Sequence, residues 1–291
     1  MIRKVKFQDV DFQKYTDCIR RSCQFVFQVE KAYLEVVNGE NWDFLVYKDY
    51  EAVMPVPFVR KMGFKVVLPP MGIQQLGIFS QRDELQLNNA FYDFLLKHYR
   101  VYTYPFNADN QLERNLEYRK NYILKPRPYQ EVKMNYSIHR RRNVRLHDKR
   151  NKGLVFSQSK ADIQVFKPFF LKNLMGYNDV PEKFFSVLEK MYDKGFLRIY
   201  QIKKEEELLS VAMVTASERE DYFLVFINNK EVKTNASSVM IDQILQQTIE
   251  QRKFSFWGSS IPSIADFYER FGAELTSYPV IPLSKKRIFK I

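Results

Sequence analysis

A weak internal repeat restricts the fold of this chain more than any other feature. Phe44–Tyr47 reads as a strand, Lys48–Glu51 as a charged hairpin turn, Ala52–Val59 and Phe64–Leu68 as strands, Asp83–Tyr99 as a helix and Val101–Phe106 as a strand. The same order returns with strand Leu197–Ile202, a charged turn at Lys203–Glu207, strands Leu208–Ala216 and Tyr222–Ile227, helix Ser237–Gln251 and strand Phe254–Trp257. Paired elements start 153 to 158 residues apart. A separation that stays nearly constant over five elements marks a duplicated unit. The helices rest on period: Leu87, Phe91, Phe94 and Leu95 in the first copy, and Ile241, Ile244, Leu245 and Thr248 in the second, recur at the three- and four-residue spacing that lines one face. The strands rest on β-branched and aromatic runs bounded by charged or proline-containing turns. Helices at Asp11–Arg21 and Glu30–Val37 precede the first meander, and helices at Ala161–Leu171 and Pro181–Tyr192 precede the second. The prediction is an α+β (mixed α/β) protein of two units, residues 1–135 and 136–291, each a mostly antiparallel mixed sheet flanked by helices. Prolines such as Pro55, Pro57, Pro69 and Pro70 are read as marking strand ends.

Several chemistries are excluded by residue supply. The chain has nine glycines, and the closest pair, Gly72 and Gly77, is followed by Ile78 and Phe79. Neither a Walker loop nor a dinucleotide fingerprint fits that pattern. The three histidines, His98, His139 and His147, and the two cysteines, Cys18 and Cys23, match no common metal-ligand spacing, so no metal site is expected. Two cysteines in 291 residues cannot form a disulfide framework, which points to a reducing, cytoplasmic setting. The opening stretch Met1–Val10 carries charge every few residues. No run approaches the ~20 apolar residues of a membrane span.

Charge is concentrated. The chain has 46 basic and 34 acidic residues, a net +12. Between Ser137 and Lys152 stand seven basic residues (Arg140, Arg141, Arg142, Arg145, Lys149, Arg150 and Lys152) against one acid, Asp148. Arg141, Arg145, Lys149 and Lys152 fall at i, i+4, i+8 and i+11, which predicts a helix with one cationic face. An anionic partner is the expected cover for it, because guanidinium forks match phosphate geometry. A solvated connector helix is the alternative.

The segment Pro262–Ala273 reads as a short helix with proline at its start and Gly272 at its stop. Ser263, Ala265, Tyr268, Glu269, Arg270, Gly272 and Ala273 resemble the fourth-helix pattern N-x-x-A-x-x-x-Y-E-K-x-G-F of the GNAT acyltransferases, with Ser263 in place of Asn and Ala273 in place of Phe. The doubled unit and the phrase Trp257–Ala273 look like the Fem-type branch, the aminoacyltransferases that build peptidoglycan bridges. Arg142–Gly153 is similar to that branch's basic helix, and Phe170–Tyr177 to its following acceptor-side helix.

The resemblance implies two tandem GNAT-like domains and an N-acyltransferase that moves an acyl or aminoacyl group to an amine by direct attack in the cleft of the tandem fold. It implies Tyr268 as the catalytic proton donor to the leaving group, a role that suits a phenol. The donor loop of the family corresponds to Lys233-Thr-Asn-Ala-Ser-Ser238, which nominates Lys233, Asn235, Ala236, Ser237 and Ser238 as donor-binding residues. Both glycines of that loop are missing here, so the implied cosubstrate is either acyl-CoA or aminoacyl-tRNA, with no tightly bound cofactor. By the same analogy Arg142, Arg145 and Tyr177 are acceptor-binding. The implied partner is an anionic or phosphate-bearing small-molecule or peptide acceptor, with tRNA as a further partner. A general base is not identifiable; Asp221, Tyr222, Asn228 and Glu231 flank the strand where one would stand. The competing readings are a non-catalytic nucleic-acid-binding protein and a GNAT-like scaffold without activity.

Overall fold

A computed structural model describes residues 1–173, 182–259 and 261–287. The chain divides into two compact units, Met1–Arg119 with Ser277–Ile291, and Lys120–Thr276. In the first unit the order is β1 (Ile2–Lys6), α1 (Phe12–Arg21), α2 (Lys31–Asn38), β2 (Trp42–Tyr47), β3 (Ala52–Lys61), β4 (Phe64–Val67), β5 (Phe79–Ser80), α3 (Leu85–His98), β6 (Arg100–Val101) and β7 (Tyr104–Pro105). The sheet runs β1-β2-β3-β4-β6, with β5 on β3. Every pairing is antiparallel except β4 with β6, joined through α3. Asp11 starts α1 by accepting from the N–H groups of Gln13 and Lys14 at 3.1 Å, which satisfies donors that a helix start otherwise leaves open.

In the second unit, β8 (Glu117–Leu124) and helices α4 (Tyr129–Met134) and α5 (Ile138–Asn143) lead into β9 (Val155–Ser159), α6 (Lys167–Asn173), α7 (Glu182–Asp193), β10 (Leu197–Lys204), β11 (Glu207–Ala216), β12 (Glu220–Asn228), α8 (Ala236–Thr248), β13 (Lys253–Ser255), α9 (Pro262–Glu269) and β14 (Glu274–Ile281). The strand order is β14-β8-β13-β12-β11-β10-β9. Again three antiparallel strands, here β10, β11 and β12, are followed by a helix and a strand parallel to the third. Both copies also open on an edge strand, β1 or β9, antiparallel to the first strand of the meander. The repeat read from the sequence is therefore a repeat of topology, and the α+β class holds. No helix among the described residues is long and apolar enough to cross a membrane.

Three details differ from the sequence reading. The division falls at Lys120 instead of at 135/136, because Tyr122, Leu124, Tyr129, Val132 and Tyr136 join one buried core with Ile241, Phe254 and Phe271. The end of β14 belongs to the first unit, where Val280 and Ile281 pair with Pro105 and Tyr104. Pro55 and Pro57 lie inside β3 instead of at its ends. They are tolerated there because β4 joins β3 only from Phe58 and β5 only at Ala52 and Val53, so the intervening edge has no ladder for a missing N–H to break.

Candidate functional site

The second unit opens where its two parallel strands part. β12 and β13 pair over three positions, Glu220 with Lys253, Asp221 with Phe254 and Tyr222 with Ser255. Beyond Tyr222, β12 continues to Asn228 with no strand paired on that edge among the described residues, while β13 turns away through Trp257 and Gly258, both at positive φ (64° and 74°). The Phe256 N–H bonds instead to the Tyr122 carbonyl at 2.9 Å. Unpaired strand edge of this kind presents polar backbone groups to whatever enters the gap.

At the same end of β12 the chain enters α8, and an open cavity of about 490 Å³ lies there, lined by Asn228, Val232, Lys233, Asn235, Ser237 and Arg150 among others. Asn235 occupies the capping position but its side chain makes no cap bond. Thr234 Oγ1 accepts from the Ala236 N–H at 3.2 Å. No described group accepts from the Ser237 N–H. The walls carry two cations, Lys233 and Arg150, neither in an ion pair among the described residues, and no carboxylate. A helix start with a free N–H at Ser237 and two cations outside ion pairs favours an anion.

Of the expected donor residues, Lys233, Asn235 and Ser237 line this cavity. Ala236 and Ser238 are buried beneath it, and Ser238 Oγ accepts from Arg140. Arg142 and Arg145 are exposed and outside the cavity lining. Tyr177 lies outside the described residues. Arg150, which the sequence reading left out of the site, is the member of the basic segment that reaches the cavity.

The long cationic helix does not form. α5 stops at Asn143, and the chain folds back so that Asn151 Nδ2 donates to the carbonyls of Asn143 and Arg145, both at 2.8 Å. Without an apolar stripe to bury, a helix through Lys152 has no packing to hold it. Arg140 is not part of the cationic surface either. It is 3% exposed, donates to Ser238 Oγ and to the Phe267 carbonyl (3.1 Å), and lies 4.1 and 4.2 Å above the Phe267 and Phe271 rings. Burial, with the Arg270 guanidinium adding to it and Asp266 opposing it, lowers its pKa to about 10, so it remains a cation at neutral pH. It ties α5, α8 and α9 together.

Tyr268 sits on α9, half-buried, its ring stacked on Phe256 at 4.6 Å and 28° and 5.9 Å from Tyr122. Its hydroxyl bonds to no described residue. Burial pushes its pKa up to about 12. It is not among the residues lining the α8 cavity. The helix is fixed at its end by Arg270, whose carbonyl accepts from the Ser137 N–H at 3.0 Å, and by Glu269, which accepts from the Tyr122 hydroxyl at 3.0 Å.

Of the groups flanking β12, Asp221 is buried between Arg198 (3.8 Å) and Arg252 (3.5 Å) at the opposite end of the strand from the cavity. Glu231 is exposed and paired with Lys172 at 2.8 Å. Asn228 lines the cavity and accepts from Ser210 at 2.6 Å, but an amide cannot serve as a base. A buried acid missed in the sequence is Asp242 on α8, which accepts from the Tyr129 hydroxyl at 2.8 Å; burial is the main cause of its raised pKa. A carboxyl whose pKa rises on folding stabilises the fold fully below its unfolded value, and that stabilisation is lost as pH rises through the folded value. Asp242→Asn, which keeps the acceptor for Tyr129 without the charge, is expected to raise the thermal midpoint at pH 7 by about 2–4 °C, roughly the effect of 1 kcal/mol. The difference from the parent should shrink at pH 4 in scanning calorimetry; an equal difference at both values would refute the charge argument.

Just before the corresponding helix of the first unit, a carboxylate is bound by the unit's own side chains and one backbone N–H. Asp83, just before α3, accepts from Gln24 (2.9 Å), Asn88 (2.7 Å) and Asn110 (3.2 Å) through Oδ1 and from the Gln111 N–H (2.8 Å) through Oδ2.

The sequence matches no protein-family model and no curated protein. Among solved structures, FemX is similar over 95% of this chain and 96% of its own, with a TM-score of 0.63 and 11% identity. A tandem GNAT protein from the clavulanic acid biosynthesis pathway is similar over 96% and 97%, with a TM-score of 0.56 and 12% identity. L-PGS from Bacillus licheniformis is similar over 88% and 91%, with a TM-score of 0.51 and 14% identity. At these identities the likeness is one of fold. The chain has a tandem GNAT fold of the kind seen in FemX.

Proposed function

We propose that this protein is a GNAT-type N-acyltransferase whose second unit holds the activated donor. The observation that carries the reading is the cavity at the α8 start, with Lys233, Arg150 and the free Ser237 N–H, placed at the open end of β12. The phosphate-bearing part of an acyl-CoA or aminoacyl-tRNA would sit there. Its reactive acyl group would enter the gap beyond Tyr222 and Ser255, where unpaired strand N–H groups can polarise a carbonyl. An amine then attacks the acyl carbon, the bond to the leaving thiolate or ribose oxygen breaks, Tyr268 supplies that leaving atom with a proton, and the proton lost by the amine nitrogen passes through solvent to restore the phenol. The acceptor would be an anionic or phosphate-bearing small molecule or peptide, held toward the exposed Arg142 and Arg145. The two free cysteines fit a reducing cytoplasm.

A second reading, a nucleic-acid binder without turnover, draws on the basic segment: Arg141, Arg142, Arg145, Lys149, Arg150 and Lys152 form no ion pair among the described residues. One experiment separates the two. The intact protein is titrated with acetyl-CoA and with charged tRNA while its thermal midpoint is followed. Stabilisation by either donor is expected, with the affinity reduced about 10–100-fold by Lys233→Glu, the size of one charged hydrogen bond turned repulsive. A salt-steep, sequence-blind affinity for duplex nucleic acid with no donor effect would favour the binder and overturn the enzyme reading.

A further inference from the structure

The turn joining β3 to β4 projects apolar side chains into water inside a ring of cations. Met62 (φ 48°) and Gly63 (φ 79°) make a two-residue hairpin turn. Met62 is 88% exposed and Phe64 50% exposed. Arg60, Lys61 and Lys65 flank the turn in its two strands, and Lys4, Lys65, Lys97 and Arg100 line a cavity together with Phe64. The carboxylate at hand, Asp43, has a side chain only 1% exposed and is already shared by Lys65 (2.8 Å), Lys4 (3.1 Å) and the Tyr99 hydroxyl (3.1 Å). Arg60, Lys61, Lys97 and Arg100 have no carboxylate partner among the described residues. The Arg100 guanidinium lies 3.5 Å over the Phe64 ring, holding charge directly beside the apolar tip. A cavity of about 390 Å³ opens between Lys4, Lys65, Phe64, Lys97 and Arg100.

We propose that this face of the first unit docks on an anionic lipid surface. Met62 and Phe64 enter the boundary between headgroups and acyl chains, and an anionic phosphate headgroup sits in the cavity against Lys65, Lys97 and Arg100. Apolar side chains ringed by cations match the two halves of such an interface, an apolar boundary beneath and negative charge above. Nucleic acid would satisfy the cations but leave the Met62 thioether in water. Arg100 already covers one face of the Phe64 ring, which leaves it poorly placed to receive a base between flanking side chains. The surface lies in the unit that does not carry the donor cavity, and the inference stands independently of the acyltransferase reading.

The test is flotation of the full chain with vesicles of phosphatidylcholine, with and without phosphatidylglycerol. Binding is expected only to the vesicles containing phosphatidylglycerol, weakening as salt is added. Met62→Ser, which leaves every charge in place, should lower affinity about tenfold, as expected for losing one partly buried apolar side chain. Lys97→Gln with Arg100→Gln should lower it roughly 25-fold, about fivefold per cation. All three positions are at the surface, and unchanged thermal midpoints will show that the variants fold. Equal binding to both vesicles, no binding, full affinity of Met62→Ser, or preference for duplex RNA in competition would each overturn the proposal.

Discussion

Gly258→Ala is expected to destabilise the protein by about 2–5 kcal/mol, combining left-handed backbone strain with forced backbone displacement. Gly258 has φ +74°, and a Cβ built there would stand 1.9 Å from the Lys120 carbonyl oxygen and 2.8 Å from its carbon. Both are backbone atoms of β8, so no rotamer change can relieve the overlap. Either β8 or the segment leaving β13 must move. Gly195 provides the control, because it has the same φ of +74° and nothing within 4 Å of its Cβ position. Gly195→Ala therefore isolates backbone strain, about 1–2 kcal/mol. Urea denaturation of the two variants should separate them by at least the difference. Equal losses would show that β8 yields freely and that the close approach at Gly258 does not hold the gap. The consequence reaches function, because the chain from Gly258 leads directly into α9 and Tyr268.

That turn was invisible in the sequence, where Trp257 read as the end of a strand and the stretch from Trp257 to Ala273 carried only a family resemblance. What was legible is instructive. Strands with both faces buried, such as β2 and β11, declare themselves by largely apolar runs. The edge strands β1 and β9 do not: Ile2–Lys6 has two of its five residues partly covered and the rest in water, so its charges hid the pattern. Their start positions, 2 and 155, nevertheless differ by the spacing of the rest of the repeat. The loop leading into α8 was legible as a place in the fold because its position after β12 is fixed by topology, and three of the five residues nominated there line the cavity. The basic segment misled. Cation spacing alone satisfied a helical period, whereas the fold-back is set by Asn151, eight residues beyond the carbonyl it binds. Arg140 was counted as surface charge, and only tertiary packing against Phe267 and Phe271 shows it to be core. A one-dimensional pattern gives no signal for a guanidinium buried between aromatic rings.

Tyr268→Phe is expected to lower the rate of acyl transfer by about 10²–10⁴-fold, the usual worth of a positioned proton donor, while leaving the fold intact. The second expectation follows from the geometry. The hydroxyl bonds to no described residue, so removing it leaves no protein group unsatisfied, and the ring keeps its stack on Phe256 at 4.6 Å. Tyr268→Leu would remove that stack as well, and should lower the thermal midpoint where Phe does not. The pair of variants thereby separates the phenol's proton from the ring's packing. Burial holds the pKa near 12, so the phenol is protonated throughout the range where an amine can be assayed as a nucleophile. On the acyltransferase proposal the parent protein should accordingly show no alkaline loss of rate below about pH 11 from this group, and the rising limb at lower pH will report the amine instead. Tyr268 is not on the wall of the α8 cavity, so the phenol must be approached by the leaving atom from the gap beside Phe256 rather than from the phosphate end. A full rate in Tyr268→Phe at an unchanged thermal midpoint would remove Tyr268 from the chemistry and leave the stack with Phe256 as its whole role.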